Sequence, residues 1–84
     1  MKNKDLLKRV IVLLENDYHN YSVAHSHKIK ATLKELIRKS IIQNKQVMDI
    51  LIQYGVYDFE DFYVETDVPL YIDVLNKHIE TLED

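Results

Sequence analysis

The chain of 84 residues is long enough for one small domain. It has no cysteine, which excludes disulfide bonds and thiolate metal sites, and its single glycine excludes a glycine-rich phosphate loop. The longest apolar run, residues 10–14, is far shorter than the roughly 20 residues that cross a bilayer. We therefore expect a cytoplasmic protein without a signal peptide or a membrane anchor. The preference for Lys, Ile, Asn and Tyr follows AT-rich codons, which indicates a low-GC bacterium or its phage.

The first part of the chain predicts a helix followed by a connection. Apolar residues at positions 6, 7, 10, 11, 13 and 14 predict a widely apolar helix over residues 3–16. The Asn, Asp and Ser side chains of residues 15–22 favour turns, so we expect an antiparallel connection there. Ser22 and Ser26 are both candidates for the N-cap of the next helix.

The central stretch, residues 28–54, has the apolar spacing of an amphipathic helix. Ser40 and Asn44 interrupt the apolar stripe, and we expect their side chains to bond nearby backbone. Either one long helix with a polar notch at Asn44 or two helices that meet there fits the pattern. Gly55 is expected to end the stretch, because glycine readily takes the left-handed conformation that follows a helix. The residues predicted on the stripe are Ile29, Leu33, Leu36, Ile37, Val47, Met48, Leu51 and Tyr54.

The remainder of the chain predicts a short helical turn and a last helix. Asp58 can cap the turn, whose aromatic residues have the three-and-four spacing of a packed face. Residues 66–69, TDVP, are a helix-start signal, and the following apolar residues, Leu70 among them, predict a helix to about Leu82. The predicted fold is all-α: one small bundle of three main helices plus a short fourth helical turn. The aromatic residues predicted to pack are Phe59, Phe62 and Tyr63.

The histidines give no strong sign of chemistry. His25 and His27 have metal-ligand spacing only in an extended chain, because residues two apart on a helix point about 200° from each other. His78 falls on the apolar stripe of the last helix, where a partly buried, hydrogen-bonded histidine is expected. No nucleophile or carboxylate pair is placed beside any of them. We therefore predict no catalytic residue, no metal, no cofactor and no enzymatic activity.

The charges are distributed unevenly along the chain. Residues 1–48 carry ten Lys or Arg against four acidic residues, whereas residues 49–84 carry one Lys against ten acidic residues. Such asymmetry arises either from two halves that attract each other when they pack or from two surfaces that bind partners. On the central helix, Lys34, Arg38 and Lys45, flanked by Lys28 and Lys39, form a basic face that could contact phosphates.

The acidic, aromatic C-terminal half is the stronger candidate for a binding surface. Its charge density is high, and Lys77 is its only cation. We predict a small protein-binding or regulatory module that acts through this surface on a protein partner, to which a basic surface would be complementary. The alternative is a nucleic-acid-binding accessory protein. Val12, Ile42 and Ile72 lie off the main apolar stripes and predict a homodimer. The candidate protein-binding residues are Asp58, Glu60, Asp61, Tyr63, Glu65 and Asp67.

Overall fold

The computed structural model describes residues 3–56, 59 and 61–82, and of Asn3 it describes only the backbone. These residues contain no strand, so the all-α prediction is confirmed in the part that is described. The number and the bounds of the helices differ from the prediction. The helices are α1 (Asn3–Val23), α2 (His27–Ile42), α3 (Lys45–Gln53) and α4 (Val64–Glu80).

The first helix is longer than the sequence predicted. The connection expected over residues 15–22 is wrong, because α1 continues to Val23. Tyr18 and Tyr21 extend the apolar stripe by another turn and pack against the core, and this burial outweighs the turn preference of their polar neighbours. The Ser22 hydroxyl donates a hydrogen bond to the Tyr18 carbonyl at 3.0 Å, so it is satisfied within the helix and caps nothing. The cap of α2 is Ser26, whose hydroxyl accepts from the backbone of the first turn.

The central stretch forms two helices, and Asn44 separates them. Its backbone is extended, with φ −108° and ψ 95°, and its side chain accepts a hydrogen bond from the Val47 N–H at 3.2 Å as the N-cap of α3. The Ser40 hydroxyl donates to the Leu36 carbonyl at 2.9 Å. The expectation that both polar side chains bond nearby backbone is confirmed, and the two-helix alternative is the one adopted.

The last helix begins earlier than predicted. Its N-cap is Tyr63, and Pro69 lies inside the helix instead of at its start. The Asp67 carboxylate accepts a hydrogen bond from the Tyr63 N–H at 2.8 Å, so a side chain within the helix satisfies the backbone of the cap. The predicted cap of the preceding turn, Asp58, lies outside the described residues. Of that predicted turn, Phe59 and residues 61–63 are described, and they are not helical.

The described residues of the connection between α3 and α4 lie along α4. Tyr54, at the end of α3, contacts His78 near the end of α4, whereas Tyr63 lies at the other end of the same helix. On this return path Phe59 and Phe62 are buried, and each ring centroid lies 6.1 Å from that of Tyr71. Phe59 and Phe62 therefore pack as predicted. Tyr63, which was predicted to pack with them, does not, because its side chain lies at the start of α4 and is 68% exposed.

The core lies where α1 packs between α2 and α4, with α3 closing the end against α4. The buried stripe of each helix is narrower than the sequence predicted. Five residues assigned to apolar stripes are exposed instead, because each helix faces few neighbours in so small a bundle. They are Leu13, Ile29, Leu36, Tyr54 and Leu70, each 40–58% exposed. Conversely, Ile42 and Ile72 pack against the core, and of the three residues predicted to lie off the stripes only Val12 is exposed, at 63%.

Within the described part of the chain, no helix has both the length and the apolar character needed to cross a membrane.

Candidate protein-binding site

The candidate site is centred on Tyr63, at the start of α4. This side chain is 68% exposed, which makes it the most accessible large hydrophobic residue among those described. Its backbone is held by two hydrogen bonds to Asp67, because its N–H donates to the Asp67 carboxylate and its carbonyl accepts from the Asp67 N–H, both at 2.8 Å. A ring on a fixed backbone, projecting into solvent, loses little conformational freedom when a partner covers it.

The acidic residues of the site are neighbours of Tyr63 along the chain but have different roles. Asp61 and Glu65 are exposed on either side of Tyr63 along the chain. Asp67 is partly buried, and its carboxylate is engaged in the cap, so its role in the structure is to hold the start of α4. The other two predicted members, Asp58 and Glu60, lie outside the described residues. Glu65 also lies in the first turn of α4, where the helix dipole favours a negative charge.

Leu70, which its spacing predicts to lie in the core, is also exposed beside Tyr63 on α4. It is 46% exposed and lies seven residues after Tyr63. Seven residues are close to two helical turns, so the two side chains lie along the same side of α4. The seven-residue spacing between Tyr63 and Leu70 indicates that the two share a side of the helix. The sequence alone does not show whether other helices pack against that side. We group Tyr63 and Leu70 with the two exposed acidic residues beside Tyr63 along the chain, Asp61 and Glu65, and name these four residues the Tyr63 surface.

The Tyr63 surface also contacts the basic half of the chain. The ammonium of Lys34, on α2, lies 5.4 Å from the centroid of Phe62 and 6.0 Å from that of Tyr63. Both distances are within the range of cation–π attraction. The prediction that Lys34 belongs to an outward basic face is therefore corrected, because the cation covers aromatic rings from the acidic half.

The other two residues of the predicted basic face are also separated. Arg38 forms an ion pair with Glu35, with 2.6 Å between Nη2 and Oε1. The Arg38 hydrogen bond is the main reason that the pKa of Glu35 is lowered, and the charges of neighbouring Lys39 and Lys34 act in the same direction. Lys45 is exposed, but it begins α3, beyond the break at Asn44. The structure does not align the three on one helix face.

A second contact joins the two halves at the end of α1. The pKa of the Tyr21 hydroxyl is raised by burial and by its hydrogen-bonded neighbour, the Glu65 carboxylate. The Lys30 ammonium lies 5.0 Å from the centroid of the Tyr21 ring. Together with Lys34, these contacts place cations of α2 beside the acidic start of α4. Part of the charge asymmetry is thus internal to the fold.

The histidines are not gathered into a site. Among the residues that the structure describes, no group of three or more His, Asp or Glu side chains could hold a metal ion. His25 and His27 are exposed on either side of Ser26, at the start of α2. His78 is partly buried; its Nδ1 lies 3.4 Å from the Tyr54 hydroxyl, and the two rings meet edge to face at 5.9 Å. The expectation of a satisfied, partly buried His78 is confirmed.

Comparison of the chain with protein-family models, with curated proteins and with solved structures finds no match in any of the three.

Proposed function

We propose that this chain is a small, non-enzymatic protein-binding module that acts through the Tyr63 surface. The observation that carries the proposal is the exposure of Tyr63 on a backbone fixed by Asp67. Exposed tyrosines are enriched at the energetic centres of protein interfaces, because the ring buries a large apolar area while its hydroxyl stays hydrogen-bonded. Leu70 extends the apolar area along α4 by two turns.

The charge of the surface indicates the kind of partner. Asp61 and Glu65 flank the tyrosine, and Lys77 is the one Lys or Arg among residues 49–84. Acidic residues around an apolar centre favour a basic partner, chiefly by accelerating association and excluding partners of like charge. The proposed partner is therefore a protein with an apolar cleft rimmed by Lys or Arg. Occupying such a cleft would regulate the partner by competition with its own ligand.

Affinity capture from the native host tests this proposal. Immobilised wild-type chain should retain a protein that Tyr63→Ser fails to retain, because the substitution removes the ring and keeps a hydroxyl. The matched control is Tyr54→Ser, which alters a less exposed tyrosine on another helix and should leave retention unchanged. Equal retention by wild type and the Tyr63→Ser variant would contradict the proposal. Circular dichroism of each variant checks that the helices are intact.

The alternative of a nucleic-acid-binding accessory protein depends on fewer cations than the sequence indicated. Lys28, Lys39 and Lys45 are exposed, whereas Lys34 covers aromatic rings and Arg38 is ion-paired. Phosphate binding would show as retention on heparin that falls steeply with salt. Two results together would favour this alternative over the proposed function. The Lys28→Glu/Lys39→Glu variant would lose retention on heparin, and the Tyr63→Ser variant would capture proteins as well as wild type does.

A further inference from the structure

A second exposed apolar area lies on α1, away from the residues of the Tyr63 surface along the chain. A shallow hollow there is lined by Lys8, Arg9, Val12 and Leu13. Val12 and Leu13 are 63% and 58% exposed, the highest values for any large aliphatic residue in the described part of the chain. The opposite side of the same helix is buried, so this face is available for contact without any change in the fold.

The charge of α1 changes sign near its middle, close to this hollow. The first half carries Lys4, Lys8 and Arg9 against Asp5. The second half carries two acidic residues, at positions 15 and 17, and no Lys or Arg. A helix with this distribution is complementary to an antiparallel copy of itself, since each basic half then lies beside an acidic half.

We infer that the exposed face of α1 is a two-fold contact between two copies of this chain. In a two-fold contact the same patch is used by both copies, so complementary charges must lie on either side of the axis. An axis near Val12 meets this requirement. The apolar hollows of the two copies then cover each other, and the two α1 helices run antiparallel.

One charged pair fixes the register of this contact. Lys8 and Glu15 are seven residues apart, so they lie on the same flank of α1, one on each side of Val12. Both are exposed. In the antiparallel pair, Lys8 of each copy lies opposite Glu15 of the other, and the contact contains this pair twice. The contact has only two exposed apolar side chains per copy, which places it among the smaller, weaker interfaces.

Sedimentation from micromolar to near-millimolar concentration tests the inference with charge-reversed variants. Lys8→Glu alone, or Glu15→Lys alone, places like charges together at both pairs. Each variant should associate about tenfold more weakly than wild type, because two exposed attractions become repulsions. An equimolar mixture of the two variants restores opposite charges at both pairs, so the mixture should associate as well as wild type does.

Two controls separate this contact from other causes. Lys28→Glu makes the same charge change on an exposed residue of α2 and should leave association unchanged. Circular dichroism should show unaltered helices in all variants. A wild-type monomer throughout the concentration range overturns the inference, and so does a mixture that associates no better than the separate variants. The inference is also overturned if the Tyr63→Ser variant fails to associate while both α1 variants associate as wild type does. That result would place the contact between copies on the Tyr63 surface.

Discussion

The Lys34 ammonium lies over the ring of Phe62, 5.4 Å from its centroid, and so joins the basic half of the chain to the acidic half. Replacing Lys34 by Ala should lower the free energy of unfolding by about 0.5–1 kcal/mol, because a partly buried cation–π contact is removed. Lys39→Ala, on the exposed side of the same helix, is the matched control and should change stability little. Urea unfolding measures both, and equal effects would mean that the contact contributes nothing to stability.

The bond between the Asp67 carboxylate and the Tyr63 N–H should stabilise the start of α4. Asp67→Ala should reduce the free energy of unfolding by about 1 kcal/mol, since the N–H of the cap loses its partner. Glu80→Ala is the control: this residue is exposed in the last turn, where the helix dipole disfavours a negative charge. The control should be neutral or slightly stabilising by thermal unfolding. If Glu80→Ala lowered the free energy of unfolding as much as Asp67→Ala does, the stabilising role of the Asp67 hydrogen bond would be contradicted.

Asp17, on α1, should destabilise the protein at neutral pH. Burial raises the pKa of its carboxyl group, so the folded chain retains a proton at pH values where the unfolded chain has lost it. Stability therefore falls as pH rises from the ordinary pKa of Asp through the raised value. Asp17→Asn should raise the melting temperature at neutral pH and have less effect below the ordinary pKa.

The control for Asp17 is Asp49→Asn, which changes an exposed aspartate on α3. It should not give the same gain at neutral pH. A melting temperature of the Asp17→Asn variant that stays at or below that of wild type across the whole pH range would contradict the assignment.

Gly55 ends the α3 segment with φ +91°, a conformation that L-residues rarely adopt. An added Cβ would meet nothing within 4 Å, so the effect of substitution isolates backbone strain from steric contact. Gly55→Ala should cost roughly 1–2 kcal/mol of stability. Gly55→Asn should cost less, because asparagine tolerates positive φ better. Chemical unfolding of the two variants measures the difference in stability. A Gly55→Ala variant as stable as wild type would contradict the positive φ of this residue.

Local chemistry made several parts of the fold predictable from the sequence. Asn44 is recognisable as a weak point of the central stretch because a short polar side chain bonds its own neighbouring backbone, and it does so as the cap of α3. Gly55 was placed at a helix end because of its conformational freedom, and its φ is positive. These features depend on residues only a few positions apart, which sequence spacing captures directly.

The predictions that the structure corrects concern contacts between residues that are distant along the chain. Residues 15–22 favour turns locally, yet burial of Tyr18 and Tyr21 against the core keeps them helical. Local spacing predicts an outward face for Lys34. The aromatic ring that its ammonium contacts belongs to Phe62, 28 residues further along the chain, and local spacing carries no information about that contact. For the same reason Leu70 was placed in the core. Which side of an amphipathic helix remains uncovered is decided by the number of helices packed against it.

The most direct test of the proposed function compares two matched charge variants in binding the protein that the wild-type chain captures. Asp61→Asn/Glu65→Gln neutralises the acidic residues beside Tyr63, and the Gln retains an acceptor for the Tyr21 hydroxyl. Lys28→Gln/Lys39→Gln neutralises two exposed cations on α2. The account predicts that the acidic pair variant associates several-fold more slowly, with a weaker dependence on salt, while the basic pair variant binds as wild type does. Unchanged association of the acidic variant together with loss of binding in the basic variant would contradict it.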